Sequence, residues 1–231
     1  MSDKETSEIR KATLLKWKNF QHLSKTEMQL VSDNMYEASF NASEIIIKQG
    51  SPSSSVIFLT SGIAKSYTEG QIGRNFILGI ILPGSLLLGP GAYVNSRNTF
   101  TVAAINPVQA CFIDFSIFRQ LVKTNSSFAE SLLEELSSSS LRLQTKMVNM
   151  AQKKMPGRLA EALLYLADEV FHSDEYKMVL TRKELGEMTN MAKESVIRIM
   201  REMEESGVIS SKSSEIRILD KDKLNLISEK G

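Results

Sequence analysis

Between Leu180 and Ser210, apolar residues recur every three or four positions in two separate stretches, with an interruption at Thr189-Asn190-Met191. Leu185 and Met188 mark the inward face of the first stretch, and Val196, Ile199, Met200 and Met203 form one stripe in the second. That spacing predicts two amphipathic helices. Thr181 followed by Glu184 is a capping box: the hydroxyl takes a free amide of the first turn while the carboxylate reaches back to the cap amide, so a helix starts there. Asn190 suits the left-handed backbone of a tight turn. The second helix runs to about Ser206, and Gly207 supplies the left-handed residue at its end. Two capped helices with so short a turn between them predict a helix-turn-helix. Beyond them, Val208-Ile209, the polar turn Lys212-Ser213-Ser214-Glu215 and Ile216-Arg217-Ile218-Leu219 predict a hairpin, placed where a wing would be.

Upstream the pattern changes three times. Residues 9–36 carry helical spacing through Ile9, Leu14, Leu15, Trp17 and Phe20, with a second start at the capping box Ser24-Lys25-Thr26-Glu27. From Ser39, apolar runs of strand length follow at Ile45–Ile47, Val56–Leu59, Phe76–Leu82 and Val102–Ile105, punctuated by Gly50, Gly62, Gly73 and Gly84. Such short runs with regular turn signals predict antiparallel strands folded into a barrel or sandwich. Residues 115–152 return to helical spacing, and Phe128, Leu132, Leu136, Leu143, Met147 and Met150 form a long stripe at near-heptad intervals. A continuous apolar seam on so long a helix predicts a partner helix from a second copy of the chain, with packing on its own β domain as the alternative. Met155-Pro156-Gly157 reads as a hinge, since proline ends one helix and is tolerated in the first turn of the next. A further helix begins near Arg158, with Leu159, Ala162, Leu163, Leu166 and Val170 inward. The expected organisation is a β domain over 1–115, a dimerisation helix and hinge over 116–154, and a winged helix-turn-helix over 155–231.

Composition narrows the function classes. The charged start MSDKETSEIRK has no apolar signal core, and the run Ile77–Leu88, broken by Gly79 and Pro83-Gly84, falls well short of the roughly 20 residues of a spanning helix. A soluble, cytoplasmic protein is expected. The single cysteine, Cys111, excludes an internal disulfide and lies in an apolar run, where a buried inert thiol is the expectation rather than a redox sensor. His22 and His172 lack companions at metal-ligand spacing and read as surface or helix-end residues. No nucleophile–base pair, phosphate loop or metal constellation is present, so an enzyme is not expected, nor a metal.

The outward face of the second helix carries Lys193, Glu194, Ile197, Arg198 and Arg201. Arg198 and Lys193 can donate to guanine edges or phosphates, Glu194 can accept from a cytosine amino group, and Ile197 can meet a thymine methyl. Lys212 and Arg217, on or beside the hairpin, suit backbone phosphates. A solvated face with ordinary charge pairs is the alternative, because Glu194–Arg198 and Arg198–Glu202 both have i,i+4 spacing. Bulk charge gives DNA binding no help: the whole chain is +1, and residues 151–231 hold 14 Lys+Arg against 15 Asp+Glu, a difference of −1. Arg182, Lys183, Lys193, Arg198, Arg201, Lys212 and Arg217 would have to gather on one face.

Over nearly its whole length the chain resembles the CRP/FNR family of bacterial transcription regulators. KQGSPSSSVIFLTSG, the glycine-bounded strands, FRQLVKTN, PGRLAEALLYLA and LTRKELGEMTNMAKESVIRIMREMEESGVI come in family order. The resemblance implies an α+β chain: an amino-terminal double-stranded β-helix, or jelly roll, of the cyclic-nucleotide-binding type, a long dimerisation helix and a winged helix-turn-helix. It implies double-stranded DNA, a second copy of the chain and RNA polymerase as partners. Glu194, Ser195 and Arg198 match the family's reading positions, and Lys193 stands where an arginine is usual. With Thr181, Arg182, Lys183, Ile197, Arg201 and Lys212 they make up the expected DNA-binding set.

The effector site departs from the pattern. Cyclic-AMP-binding members carry a glutamate for the ribose and an Arg-Ser pair for the phosphate, whereas here Gly89-Pro90 stands at the glutamate position and Asn98-Thr99 at the pair, with Arg97 one residue early. Leu143 and Gln144 fall where hydroxyl residues would meet the adenine. The expected pocket, Leu86, Gly89, Arg97, Asn98, Thr99, Leu143 and Gln144, therefore offers neither the fixed charge nor the carboxylate, and cyclic AMP is not expected. The cofactor is left unassigned: another effector, a haem without assignable ligands, or none. A metabolite-sensing module acting through protein contacts remains the alternative to DNA binding.

Overall fold

The computed structural model describes residues 14–15, 17–70 and 73–231. The helical start expected at Ile9 and the charged terminus before it lie outside them. The chain divides into two compact units, one comprising the described residues through Glu69 with Ile80–Ser140, the other Gly70–Gly79 with Leu141–Gly231.

The first unit opens with a 3-10 turn, Lys18–His22, and helix α1, Lys25–Asp33, whose Ser24/Glu27 capping box is formed on both sides. Helical structure stops earlier than the sequence spacing suggests: β1 already occupies Met35–Phe40, where pairing along the whole of the later strand β8, Val108–Asp114, outweighs local preference. Six more strands lie between them: β2 Ile45–Ile47, β3 Ser55–Ser61, β4 Ala64–Glu69, β5 Asn75–Ile81, β6 Leu86–Leu87 and β7 Thr101–Ala104. They form two antiparallel sheets, ordered β1-β8-β3-β6 and β2-β7-β4-β5, the jelly roll expected. A single turn of helix, α2, Gly91–Val94, interrupts the strands. Gly50, Gly62, Gly73 and Gly84 all take positive φ, so each glycine does mark a turn.

Two-residue periodicity explains how the roll is held. Along β3, Ile57 and Leu59 point into the core shared with Ile47, Val102 and Phe112, while Val56 and Phe58 point to a second core built on Trp17, Phe20 and Val31. β8 alternates likewise, with Ala110 and Phe112 inward and Cys111 and Ile113 outward. Strands buried on both faces must be apolar throughout, and the expectation that Cys111 is buried holds. Trp17 packs edge-on to Phe20 with centroids 4.4 Å apart and lies near Phe58, Phe118 and Phe128.

Helix α3, Phe115–Thr124, is capped by Asp114, and α4, Ser126–Gln152, follows after Asn125. Here the expected seam needs correction. Phe128 and Leu132 are 0% and 6% exposed and belong to the roll's own aromatic core. The outward apolar residues are Leu133, Leu136, Leu141, Leu143, Met147 and Val148; of these Leu133, Leu136, Leu143 and Met147, with Ser140 and Met150, step by three and four along one stripe.

In the second unit, α5, Met155–Tyr165, has Pro156 in its first turn and runs into a π-helical turn, Leu166–Phe171, closed by His172 in the left-handed region. His22 and His172 are both exposed, at the ends of their turns. α6, Arg182–Thr189, and α7, Lys193–Glu205, form the helix pair. The hairpin is β10, Ile209–Lys212, with β11, Glu215–Ile218; β9, Glu175–Lys177, adds a third strand on β11. A final helix, α8, Lys221–Lys230, is capped by Asp220 and packs Leu224 and Ser228 inward. Among the described residues no helix is long and apolar enough to cross a membrane.

Candidate nucleic-acid interface

The helix pair is fixed by local chemistry first. Thr181 Oγ1 accepts from the Glu184 amide at 3.2 Å while Glu184 Oε2 accepts from the Thr181 amide at 2.7 Å. Thr181 is thereby engaged in its own cap, which sets the angle at which α6 begins. The turn closes when Met191 N donates to Gly186 O at 3.0 Å, with Asn190 left-handed at φ 51. Gly186 was not singled out from the sequence, yet a Cβ there would lie 2.6 Å from Met191 O. A glycine inside an otherwise well-capped helix lowers helix propensity, and that was the available signal.

Leu185, Met188, Val196, Ile199, Met200 and Met203 are all buried, so the stripes read from the sequence face one core. This orientation leaves Lys193, Glu194, Ile197, Arg198 and Arg201 on the outer face of α7. Ile197 is 46% exposed, an apolar group in water with a methyl-sized contact to offer. Ser195 is half-buried at the edge of the same face. Gly207 at φ 69 ends the helix, and Val208 N returns to Met203 O at 2.9 Å.

The wing is tied to both helices. Glu204 Oε1 accepts from the Ser211 amide at 2.7 Å, and Arg182 Nη2 donates to Ser211 Oγ at 2.8 Å. Arg182 is half-buried, and burial draws its guanidinium below the usual arginine range against the opposing pull of Glu204. Its placement differs from that of an open DNA contact: it joins the start of α6 to β10. Lys212 stands exposed at the hairpin turn, opposite Glu215. Arg217, on the next strand, pairs with Glu175 at 2.5 Å, which holds the carboxyl below its ordinary range. Lys183 pairs with Glu187 at 3.7 Å, Arg198 with Glu202 at 2.6 Å and Arg201 with Glu205 at 2.8 Å. Of the two i,i+4 pairs weighed from spacing, Arg198–Glu202 is the one formed.

The expected effector residues are less coherent. Arg97 Nη1 donates to Gly50 O at 2.7 Å, and Asn98 Nδ2 reaches Ser51 Oγ at 3.0 Å and Pro52 O at 3.2 Å. Both side chains thus brace the loop after β2. Thr99 and Phe100 crowd Gly89, where a Cβ would sit 3.2 Å from the Phe100 ring, and Leu86 leans on the outer aromatic core. Leu143 and Gln144 are exposed on the part of α4 that belongs to the second unit. A cavity of about 180 Å³ does open in the roll, but Tyr36, Lys48, Ser51, Ser53, Asn98 and Phe112 line it, so of the expected set it includes Asn98 alone. Lys48 there is paired with Glu69.

Known proteins share both halves of this architecture. Residues 37–125 match the family described as cyclic nucleotide-binding domain, and residues 157–227 match the Crp-like helix-turn-helix domain. The chain is 28% identical over 189 residues to electron transport regulator A of Shewanella oneidensis, covering 80% of this chain and 75% of that protein. It is 25% identical over 170 residues to the cAMP-activated global transcriptional regulator CRP of Pasteurella multocida, covering 72% and 81%. Among solved structures, FixK2 from Bradyrhizobium japonicum superposes with a TM-score of 0.76 at 18% identity, covering 84% of this chain and 96% of that one. A crp/fnr family protein from Eubacterium rectale gives 0.77 at 18% identity, with 93% and 99% covered.

Proposed function

Because the chain belongs to the CRP/FNR family of transcription regulators, we propose that it works as a homodimer reading a pseudo-palindromic duplex, one recognition helix to each half-site. As a family member it is a DNA-binding regulator and not an enzyme. The observation that carries the finer reading is the outer face of α7: Lys193, Glu194, Ile197 and Arg198 stand exposed on the first turns of a helix whose other side is fully buried. In winged folds of this kind the N-terminal turns of the second helix meet base edges. Arg198 is the residue assigned to bases, in bidentate contact with guanine, and Lys193, Lys183 and Lys212 to phosphates. Arg182 positions the wing instead.

Dimerisation rests on the outward stripe of α4, Leu133, Leu136, Leu143 and Met147, with Met150 half-buried at its end. Exposed apolar residues in heptad register have a ready partner in a second copy of the same helix. The two reading helices then lie about one helical turn apart, ~34 Å. The proposed partners are double-stranded DNA, a second copy of the chain and RNA polymerase, meeting in the cytoplasm. The effector differs from cyclic AMP, since the loop that would grip a cyclic phosphate uses Arg97 and Asn98 to brace residues 50–52. Footprinting on a duplex recovered by selection tests the reading: two protected segments one turn apart support it, and a single segment or none refutes the dimeric arrangement.

A further inference from the structure

Of the six exposed cations weighed for the DNA face, four are occupied by acids of the same chain. Lys183, Arg198, Arg201 and Arg217 each pair with a glutamate, while Lys193 and Lys212 have no ion pair among the described residues. Three of these pairs lie within a helix at i,i+4, and in all three the cation precedes the acid. That order stabilises a helix less than the reverse. Glu202, Glu204 and Glu205 also crowd the C-terminal end of α7, where the helix dipole disfavours negative charge. Glu204 has a structural task, bonding the Ser211 amide. Glu202 and Glu205 have no such task, and helix stability does not explain their placement.

We propose that Glu202 sets how strongly Arg198 engages DNA: it clamps Arg198 as a built-in counter-ion, so that a duplex must displace the carboxylate before the arginine can bind. The inference rests on Arg198 being the base-reading residue. Both members of the clamp are more than half exposed, so the pair is weak and opens readily. A phosphate contact by an exposed arginine is of similar strength and screened alike, and competes with the clamp about evenly. A bidentate guanine contact is stronger and directional, and wins. The clamp therefore subtracts its full free energy from a complex in which Arg198 must leave Glu202 for a base, and at most that much from one in which Arg198 finds only phosphate and can stay clamped. Glu205 acts in the same sense on Arg201.

The test uses the full chain and its Glu202→Gln, Arg198→Ala and double variants, titrated against the best duplex from a randomised pool and against a scrambled duplex of equal composition. Glu202→Gln should tighten binding of the selected duplex about fourfold, roughly twofold for each protomer's clamp, and tighten binding of the scrambled duplex by no more than that. The salt dependence should steepen, because an unclamped arginine replaces a counterion on DNA without leaving a carboxylate to be re-solvated by salt. In the Arg198→Ala background the same change should have little effect. Equal tightening in both backgrounds would mean that Glu202 merely adds negative charge near DNA, and no tightening at all would mean no clamp; either overturns the proposal. Failure of the underlying reading looks different: Arg198→Ala would leave the preference for the selected duplex unchanged.

Discussion

Replacing Leu143 and Met147 together with glutamate should convert the dimer to monomer without unfolding the chain. Met147 is 71% exposed and Leu143 48% exposed on the chain alone. Complete burial of such a side chain is worth about 1.5–3 kcal/mol, so the part still available to a partner is about 2 kcal/mol for Met147 and about 1 kcal/mol for Leu143. Both protomers lose it, which brings the apolar loss to roughly 6 kcal/mol, and four carboxylates in one seam add desolvation and repulsion. At about 1.4 kcal/mol for each tenfold, the dissociation constant should rise at least ten-thousandfold. Substitutions at exposed positions change the stability of the chain itself by about 0.5 kcal/mol or less. Sedimentation velocity at micromolar concentration should therefore give a monomer with an unaltered circular dichroism spectrum, and operator binding should collapse. A dimer that survives the double substitution would place the interface elsewhere. As a paired control, Phe128→Glu should unfold the roll, because Phe128 lies in the chain's own core.

Two further outcomes follow from other sites. Cyclic AMP should give no micromolar binding in a calorimetric titration of the purified chain, and such binding would mean that the roll holds a phosphate site outside residues 84–104. Lys146 donates to the Ile77 and Leu78 carbonyls at 2.9 and 2.8 Å, and its ammonium lies 5.1 Å from the Phe76 ring centroid. Burial lowers its pKa to about 8, with Glu161 opposing. The unfolded chain, near 10.4 at this group, binds the proton more tightly, so the burial penalty is present below about pH 8 and is relieved as pH rises toward 10.4. The stability of wild type relative to Lys146→Met in urea unfolding should rise by up to ~3 kcal/mol over that window; a constant difference would show that Lys146 titrates normally.

What the sequence disclosed was local. Thr181, Glu184, Asn190 and Gly207 carry their structural meaning in spacings of a few residues, because caps and turns are closed by groups near in sequence, and each is formed as expected. Position along the chain did not disclose tertiary destination. Phe128 and Leu132 share the helical phase of Leu136, yet the first two meet Trp17 and Phe20, more than a hundred residues earlier, and periodicity alone does not say which partner takes a face. β9 is only three residues long, and its ladder partner lies forty residues further on. Arg182 looked like an exposed cation at a helix start, and only the fold of the wing shows that Ser211 and Glu204 enclose it. The lining of the roll's cavity was not legible, because Tyr36, Lys48 and Phe112 come from separate strands and turns.

The central claim, that the outer face of α7 reads bases through Arg198, is tested most directly by selecting duplexes from a randomised pool with wild type and Arg198→Ala in parallel. Wild type should return a pseudo-palindrome with half-site centres about one helical turn, ~34 Å, apart. The variant should return the same spacing with preference relaxed at one symmetric base position, and should bind the wild-type consensus more weakly by roughly 1–3 kcal/mol for each half-site. An unchanged consensus bound with unchanged affinity would contradict the account.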